Sequence, residues 1–191
     1  SVGMRIGATG AATTTTGGIK LYHNTITMNG SFAGNTSGTL SAALYISATA
    51  TSIDLRNNIL VSTLDNTAST SDSTFSIYSA AENTAYSNID YNDYYVSGTP
   101  GVLGFIGSNR ATLADIVTGF GGNANSKNIA PVFVSGTDLH LSTGANATLN
   151  NVGTPIAGIT SDIDGDTRSG TTPDMGADEF ETLTCGSSTL T

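Results

Sequence analysis

The chain has 191 residues, of which 38% are hydrophobic and only 11% are charged. Its 15 acidic and 6 basic residues give a formal net charge of −9. This balance excludes a broad basic patch, so nucleic acids and anionic membrane surfaces are unsuitable partners. An acidic polysaccharide would need a bridging metal ion, because lysine and arginine are so few.

Cysteine usage and hydropathy narrow the class of protein further. Cys185 is the only cysteine, so no disulfide can form within the chain. No run of 18 apolar residues exists, and no membrane span is expected. The chain is rich in Asn, Thr and Ser, does not begin with Met and has no recognisable signal peptide, which we interpret as a mature fragment of a longer secreted protein.

A segment of strand-like runs recurs three times within residues 1–98. The asparagines that we align between the copies are Asn24, Asn58 and Asn88, which are 34 and 30 residues apart. Repeats of this length are too small to bury a core alone and therefore stack. We predict an all-β fold, a β-solenoid in which these asparagines stand at bends, tolerate left-handed backbone and form an internal amide ladder.

The pattern changes after Val96. A short helix is predicted at about 112–118, with Thr112 and Asp115 as a capping box and Gly119 as its end. We therefore divide the chain into β-coils at 1–98, a last coil and capping segment at 99–180, and a linker tail at 181–191.

An acidic segment follows at residues 162–174. Asp162, Asp164 and Asp166 occupy alternate positions, like the first three ligands of an oxygen-only Ca²⁺ loop. Two positions depart from the EF-hand pattern, because Gly165 is fourth instead of sixth and Pro173 stands where a glutamate is required. Ca²⁺ is the only cofactor that the sequence suggests.

The same segment has an alternative interpretation as a turn that caps the fold. In that case Arg168 would form a structural salt bridge with a nearby carboxylate, either Asp174 or Glu179. We take Arg168–Glu179 as the expected pair.

Several tyrosines cluster near the end of the third repeat. Tyr91, Tyr94 and Tyr95 could bind carbohydrate, because a tyrosine ring offers an apolar face with a polar tip. The alternative, which we favour, is that alternate tyrosines close the end of the solenoid or pack beneath the predicted helix.

No catalytic residue is predicted. His23 and His140 are the only histidines and lie in different parts of the chain, where a structural role is expected for each. No G-x-S-x-G nucleophile motif is present. A lyase would need acids and a base on one face, for which Lys20, Asp54 and Arg56 are the available residues.

Three stretches carry a family resemblance: N-D-Y-Y-V-S-G-T-P-G-V-L-G, A-P-V-F-V-S-G-T-D-L-H-L and D-I-D-G-D-T-R-S-G-T-T-P-D-M-G-A-D-E-F. Together with the repeats, they resemble the right-handed parallel β-helix proteins secreted by Bacteroidetes, many of which carry a D-G-x-x-R…P-D-x-G-A-x-E segment. The resemblance implies a right-handed parallel β-helix within a longer multidomain chain, often exported by the type IX secretion system. It implies fold and location more than activity.

We therefore expect a non-catalytic extracellular or cell-surface module, adhesive or structural, that binds an extracellular polysaccharide or a neighbouring surface protein. One alternative is a polysaccharide lyase or glycoside hydrolase, which predicts that Asp54, Asp90 and Arg56 converge in an open groove. Another is a filament or sheath subunit whose open coil ends stack between molecules.

Overall fold

A computed structural model describes residues 1–7, 15–32, 40–67 and 73–182. These residues form mostly β-strands in parallel sheets, together with one α-helix, which confirms the predicted all-β class. No helix in these ranges is long and apolar enough to cross a membrane. Cys185 and nearly all of the predicted tail at 181–191 lie outside the described residues.

The strands are short and are separated by bends and turns. In chain order they are β1 (Val2–Ile6), β2 (Thr16–Gly17), β3 (Lys20–Tyr22), β4 (Thr25–Met28), β5 (Ser31–Phe32), β6 (Ser41–Ile46), β7 (Ala50–Thr51), β8 (Ile53–Arg56), β9 (Ile59–Ser62), β10 (Asp65–Asn66), β11 (Thr74–Ser79), β12 (Tyr86–Asp90), β13 (Asp93–Val96), β14 (Gly101–Ile106) and β15 (Ser108–Arg110). The helix is α1 (Leu113–Phe120), and Asn83–Ala85 form a 3₁₀ turn.

Three sheets each take one strand from successive stretches of the chain. Their strand orders are β1-β6-β11-β14, β3-β8-β12 and β4-β9-β13, all parallel, and β15 adds an antiparallel edge to the first. Two short parallel pairs, β2-β7 and β5-β10, repeat the same order. Leu21 lies beside Leu55, which lies beside Ile89, so partners in this sheet are 34 residues apart.

The first hydrophobic core lies between the three sheets. Alternate residues of each strand point inward, as the pleat requires, and Leu44, Leu55, Leu60 and Ile77 are fully buried there. This alternation explains why β8 reads apolar, polar, apolar, polar in sequence.

A second core covers the other face of the β4-β9-β13 sheet. We call residues 129–180 the C-terminal segment. Its apolar side chains pack on Ile59 and Val61, so β9 is buried on both faces, in keeping with its run of apolar residues. The buried side chains that this segment contributes are Leu141, Leu149, Met175 and Phe180.

Gly176 allows the C-terminal segment to approach the sheet closely. Its backbone has φ +91°, and a Cβ there would lie 2.7 Å from a side-chain carbon of Ile59 and 2.8 Å from Oγ1 of Thr25. Only glycine fits that position without displacing its neighbours.

The helix has the predicted capping box but a different end. The Thr112 side chain accepts a hydrogen bond from the Asp115 N–H, and the Asp115 carboxylate accepts from the Thr112 N–H. The prediction that Gly119 ends the helix is wrong, since Gly119 lies within α1. Gly121 is the C-cap in left-handed conformation, and its N–H donates to the Val117 carbonyl.

The internal ladder exists, but one of its predicted members is wrong. Asn24 donates to Asn58 Oδ1 from its backbone N–H at 3.0 Å and from its side chain at 2.9 Å. Asn58 donates to Asn92 Oδ1 in the same two ways, and the Asn92 N–H donates to the Ser126 hydroxyl. Asn88 is exposed in β12 beside Asp54 and is not part of this column.

The left-handed residues at the bends precede the ladder asparagines. His23, Asn57 and Tyr91 have φ of 52°, 59° and 55°. The expectation that ladder asparagines themselves adopt left-handed backbone is therefore wrong. The asparagines Asn24, Asn58 and Asn92, which we call the asparagine column, instead bridge neighbouring repeats just after the bend.

Candidate functional site

The C-terminal motif is held together by one buried arginine. Arg168 is only 6% exposed and pairs with the Glu179 carboxylate at 3.1 Å, so the structure contains the expected pair. It also donates to the carbonyls of Gly176 and Ala177 at 3.0 and 2.7 Å. A planar guanidinium can satisfy a carboxylate and two carbonyls at once, which suits it to organising irregular backbone.

The three aspartates proposed as Ca²⁺ ligands are not arranged around one point. The Asp162 Oδ1 accepts from the N–H groups of Asp164 and Asp166 at 2.9 and 2.8 Å, and its Oδ2 accepts from the Glu179 N–H at 2.9 Å. Burial opposes ionisation, but these hydrogen bonds hold the pKa of Asp162 below its ordinary value. Asp162 therefore caps its own turn.

The tyrosines proposed for carbohydrate binding do not form an exposed platform. Tyr94 is fully buried and its hydroxyl donates to Asn123 Oδ1 at 2.8 Å, so a stacking role for Tyr94 is wrong. Tyr91 and Tyr95 are partly buried and pack against the second core. Burial of these rings reflects their position in and beside β13, between the two cores.

An aromatic stack that sequence reasoning missed lies on the β1-β6-β11-β14 sheet. Tyr45 and Tyr78 stack with ring centroids 5.4 Å apart, and Tyr78 and Phe105 stack at 4.4 Å. The Arg5 guanidinium lies 4.2 Å above the Tyr45 ring. These residues share one register across four strands, so aligning the repeats by strand would have revealed the stack. Because each ring face meets a neighbour, mainly ring edges remain available to a ligand.

A polar cluster occupies the β3-β8 face; we call Tyr22, Asp54 and Arg56 the β3–β8 cluster. Arg56 holds the Asp54 carboxylate with two hydrogen bonds of 2.7 Å, and the Tyr22 hydroxyl donates to it at 2.5 Å. Although burial opposes it, Arg56 and Tyr22 keep the pKa of Asp54 below its ordinary value. Asp90 lies beside Arg56 in register, but its carboxylate binds the backbone and side chain of Asn125.

His23 is enclosed beneath the first bend. It is 7% exposed, and its Nε2 accepts a hydrogen bond of 2.8 Å from the Asn57 side chain. Burial lowers the pKa of His23 to about 4, so the ring is neutral at neutral pH. This arrangement agrees with a structural role.

The second histidine lies in a very different environment. His140 Nδ1 contacts Asp138 at 2.5 Å, and His140 Nε2 contacts Asp164 at 2.7 Å. Asp178 lies beside them, and we call these four residues the His140 cluster. The hydrogen bond to Asp138, and then the one to Asp164, raise the pKa of His140 to about 9. The ring is therefore a cation at neutral pH, bridging two carboxylates.

The His140 cluster opens onto a surface pocket of about 540 Å³, which is lined by Thr25, Thr137, Asp138, Leu139, His140, Ile163, Ala177 and Asp178. Ile163 is 70% exposed at its rim. Asp178 is 8% exposed, and burial raises the pKa of its carboxyl group. The pocket thus combines a histidine, two carboxyl groups and apolar walls, which is a composition typical of binding sites.

Sequence reasoning missed this cluster because its members come from distant parts of an irregular segment. Only the alternation of Asp138 and His140 in T-D-L-H-L was visible as a same-face pair. Asp164 and Asp178 are 24 and 38 residues from His140, and no repeat relates them.

Comparison with known proteins does not assign the chain to a family. It matches no protein-family model, and it has no significant match among curated proteins or solved structures.

Proposed function

We propose that the parallel sheets wind into a right-handed parallel β-helix, and that the chain is a non-catalytic binding module of a secreted or cell-surface protein. Parallel neighbours need a long crossover connection. Between β3 and β8 that connection passes through strands of the other two sheets, as expected of a chain that winds in coils. The shared strand order of the three sheets and the asparagine column support this winding.

The observation that carries the function is the internal pairing of the β3–β8 cluster. General acid–base catalysis needs a group that can exchange a proton with the substrate. In this cluster Asp54 is held by Arg56 and Tyr22, while Asp90 is bound to Asn125 instead of joining them. A lyase or hydrolase site on this face would require convergence of Asp54, Asp90 and Arg56, so the pairing favours binding over turnover.

We propose an extracellular polysaccharide as the ligand of this face. The sheet holds the hydroxyl, carboxylate and guanidinium groups of the cluster in fixed positions, which limits the entropy lost on binding. Sugar hydroxyls can both donate to Asp54 and accept from Arg56, whereas an apolar partner would leave these groups unpaired. The net charge of −9 favours a neutral glycan over a polyanion.

Export from the cell is part of the same proposal. It is supported by the resemblance to secreted Bacteroidetes β-helix proteins and by the polar, lysine-poor composition. Additional domains in the same longer chain are expected on that basis.

A glycan array, read with and without Ca²⁺, tests the proposed function. We expect saturable binding to a neutral glycan without release of product, and at least a tenfold loss of affinity in Arg56→Ala. Arg5→Ala is the matched control, because Arg5 is an exposed arginine on another sheet. Product formation that falls in Asp54→Asn would overturn the non-catalytic proposal, and absence of binding to every glycan would overturn the choice of ligand.

A further inference from the structure

We propose that the His140 cluster binds one divalent transition-metal ion of the Zn²⁺ type, through His140 Nε2 and the carboxylates of Asp164 and Asp178. The site lies in the C-terminal segment, away from the β3–β8 cluster. Its existence does not depend on the function proposed for that face.

The donor atoms already lie close to one another. One ligand atom from each of His140, Asp164 and Asp178 is within 4.8 Å of the others. Tetrahedral ligands at Zn²⁺ bond lengths are about 3.4 Å apart, so a small closing movement completes the set. Asp164 can supply that movement, because its side chain is 52% exposed on a surface turn.

Asp138 gives His140 the orientation of a metal ligand. A histidine that binds a metal usually donates its other ring N–H to a carboxylate, which fixes the ring and makes the ligand nitrogen more basic. His140 Nδ1 is in that position, 2.5 Å from Asp138. On binding, the metal would replace the proton on Nε2, which is released to solvent, and the direct contact with Asp164 would become shared coordination.

Asp178 supplies an independent indication of a cation. Its side chain is mostly buried, and Oδ2 accepts from the Leu141 N–H at 2.8 Å. Within the part of the chain that the structure describes, no hydrogen-bond donor reaches its Oδ1, and the residue lines the pocket. A mostly buried carboxylate with one oxygen lacking a donor is costly, and a bound cation would compensate for it.

The donor set selects the class of metal. One imidazole and two carboxylates suit Zn²⁺ and its transition-metal neighbours, whereas Ca²⁺ takes six to eight oxygen ligands. The three ligands come from three separate stretches around residues 140, 164 and 178. A bound ion would therefore tie the C-terminal segment together and leave one coordination position open to water in the pocket.

The experiment is a Zn²⁺ titration of chelator-treated protein by calorimetry, with Co²⁺ as a spectroscopic substitute. We expect one ion per chain and at least a tenfold loss of affinity in His140→Gln and in Asp164→Asn. Asp138→Asn should also weaken binding by roughly 10- to 100-fold, as loss of an orienting carboxylate does. Asp166→Asn is the matched control, an exposed acid on the same turn, and should change affinity less than about twofold.

Thermal denaturation adds a second readout. At about 100 times the Kd, Zn²⁺ should raise the Tm of the wild-type protein by roughly 5–10 °C and that of His140→Gln by much less. The melting temperature of each metal-free variant shows whether it is folded, and Asp164→Asn keeps the test decisive if His140→Gln is not.

Three results would overturn the proposal. The first is absence of saturable Zn²⁺ binding up to about 1 mM. The second is an equal loss of affinity in Asp166→Asn and Asp164→Asn with no effect of His140→Gln, which would point to a loop of aspartates. The third is equally tight competition by Ca²⁺, which would point to oxygen-only coordination.

Discussion

The sheets and the C-terminal segment satisfy their backbone groups in two different ways. In the sheets, parallel strands bond to one another, and the asparagine column supplements those bonds at the bend. In residues 129–180, the described backbone forms only isolated bridges, and buried or half-buried side chains take over the role of a neighbouring strand. The groups that do so are Asp162, Arg168, Asp174, Asp178 and Glu179.

This difference determines how each region should respond to damage. In the sheets, the stabilising interactions recur in every layer, so stability is spread over many similar contacts. In the C-terminal segment, a few charged groups each hold several stretches of irregular backbone, so the loss of one affects the whole segment. Asn57 links the regions, because its side chain bonds the backbone of Thr154 and its carbonyl accepts from the Gly176 N–H.

The largest effect is expected from Arg168→Ala. The substitution leaves Glu179 half-buried without its cation and two carbonyls without a donor, which should cost about 3–5 kcal/mol of unfolding free energy. Hydrogen exchange should show faster exchange in residues 129–180, while the sheets remain protected. Arg5→Ala should cost less than about 1 kcal/mol, since Arg5 is exposed. A uniform loss of protection would contradict the division into two regions.

Asn58→Ala tests the sheets in the same way. Asn58 is fully buried and donates to Leu21, Arg56 and Asn92, so its removal leaves several buried groups unpaired and should cost about 2–4 kcal/mol by denaturant unfolding. Asn88→Ala is the control, an exposed asparagine in the neighbouring strand, with an expected change within about 0.5 kcal/mol. Equal effects of the two substitutions would contradict the column.

A buried carboxyl group should make the stability of the sheet region depend on pH. Asp93 is fully buried in β13, accepts a hydrogen bond from the Ile129 N–H and has no partner at Oδ2; burial raises its pKa to about 7. Because the pKa is higher in the folded state than in the unfolded state, the protonated form stabilises the fold. That contribution is complete below the unfolded pKa of 3.8 and is lost as pH rises through about 7.

Asp93→Asn should remove this dependence. Between about pH 5 and about pH 8 the wild-type protein should lose about 2–3 kcal/mol more stability than the variant, measured by urea unfolding at each pH. Asp166→Asn, in an exposed turn, serves as the control and should follow the wild-type profile. A wild-type profile that parallels that of Asp93→Asn would show that Asp93 is ionised in the fold.

The smallest effect is expected from the aromatic stack. A double-mutant cycle of Tyr45→Leu and Tyr78→Leu should give a coupling of about 0.5–1.5 kcal/mol, the range typical of stacked rings. Strict additivity would indicate that the rings contribute only through separate burial. The result sharpens the comparison, because it measures how much one side-chain contact between repeats adds to the backbone pairing.

The repeated region could be predicted from sequence in class but not in detail. The alternating strands and the asparagine ladder follow from spacing, yet aligning the shared I-D pair placed Asn88 in the ladder. In the structure, Ile89 pairs with Leu55, and the register shifts between Tyr86 and Asn88. A constant spacing of 34 residues from Asn24 to Asn58 would have led to Asn92.

The C-terminal segment was harder to predict because it has no period. The alternation of acids at Asp162, Asp164 and Asp166 resembled a metal loop, whereas in the structure Asp162 binds backbone N–H groups and Asp164 turns toward His140. Which oxygen meets which donor depends on how the segment crosses itself, and no local pattern encodes that.

A double-mutant cycle between Asn58 and Asn92 tests the central claim most directly, namely that neighbouring repeats lie in register and join through the asparagine column. The account predicts a coupling energy of at least about 1 kcal/mol for Asn58→Ala with Asn92→Ala, and additivity within about 0.5 kcal/mol for Asn58→Ala with Asn88→Ala. Coupling of Asn58 to Asn88 instead of Asn92 would contradict the register on which the fold and the proposed function rest.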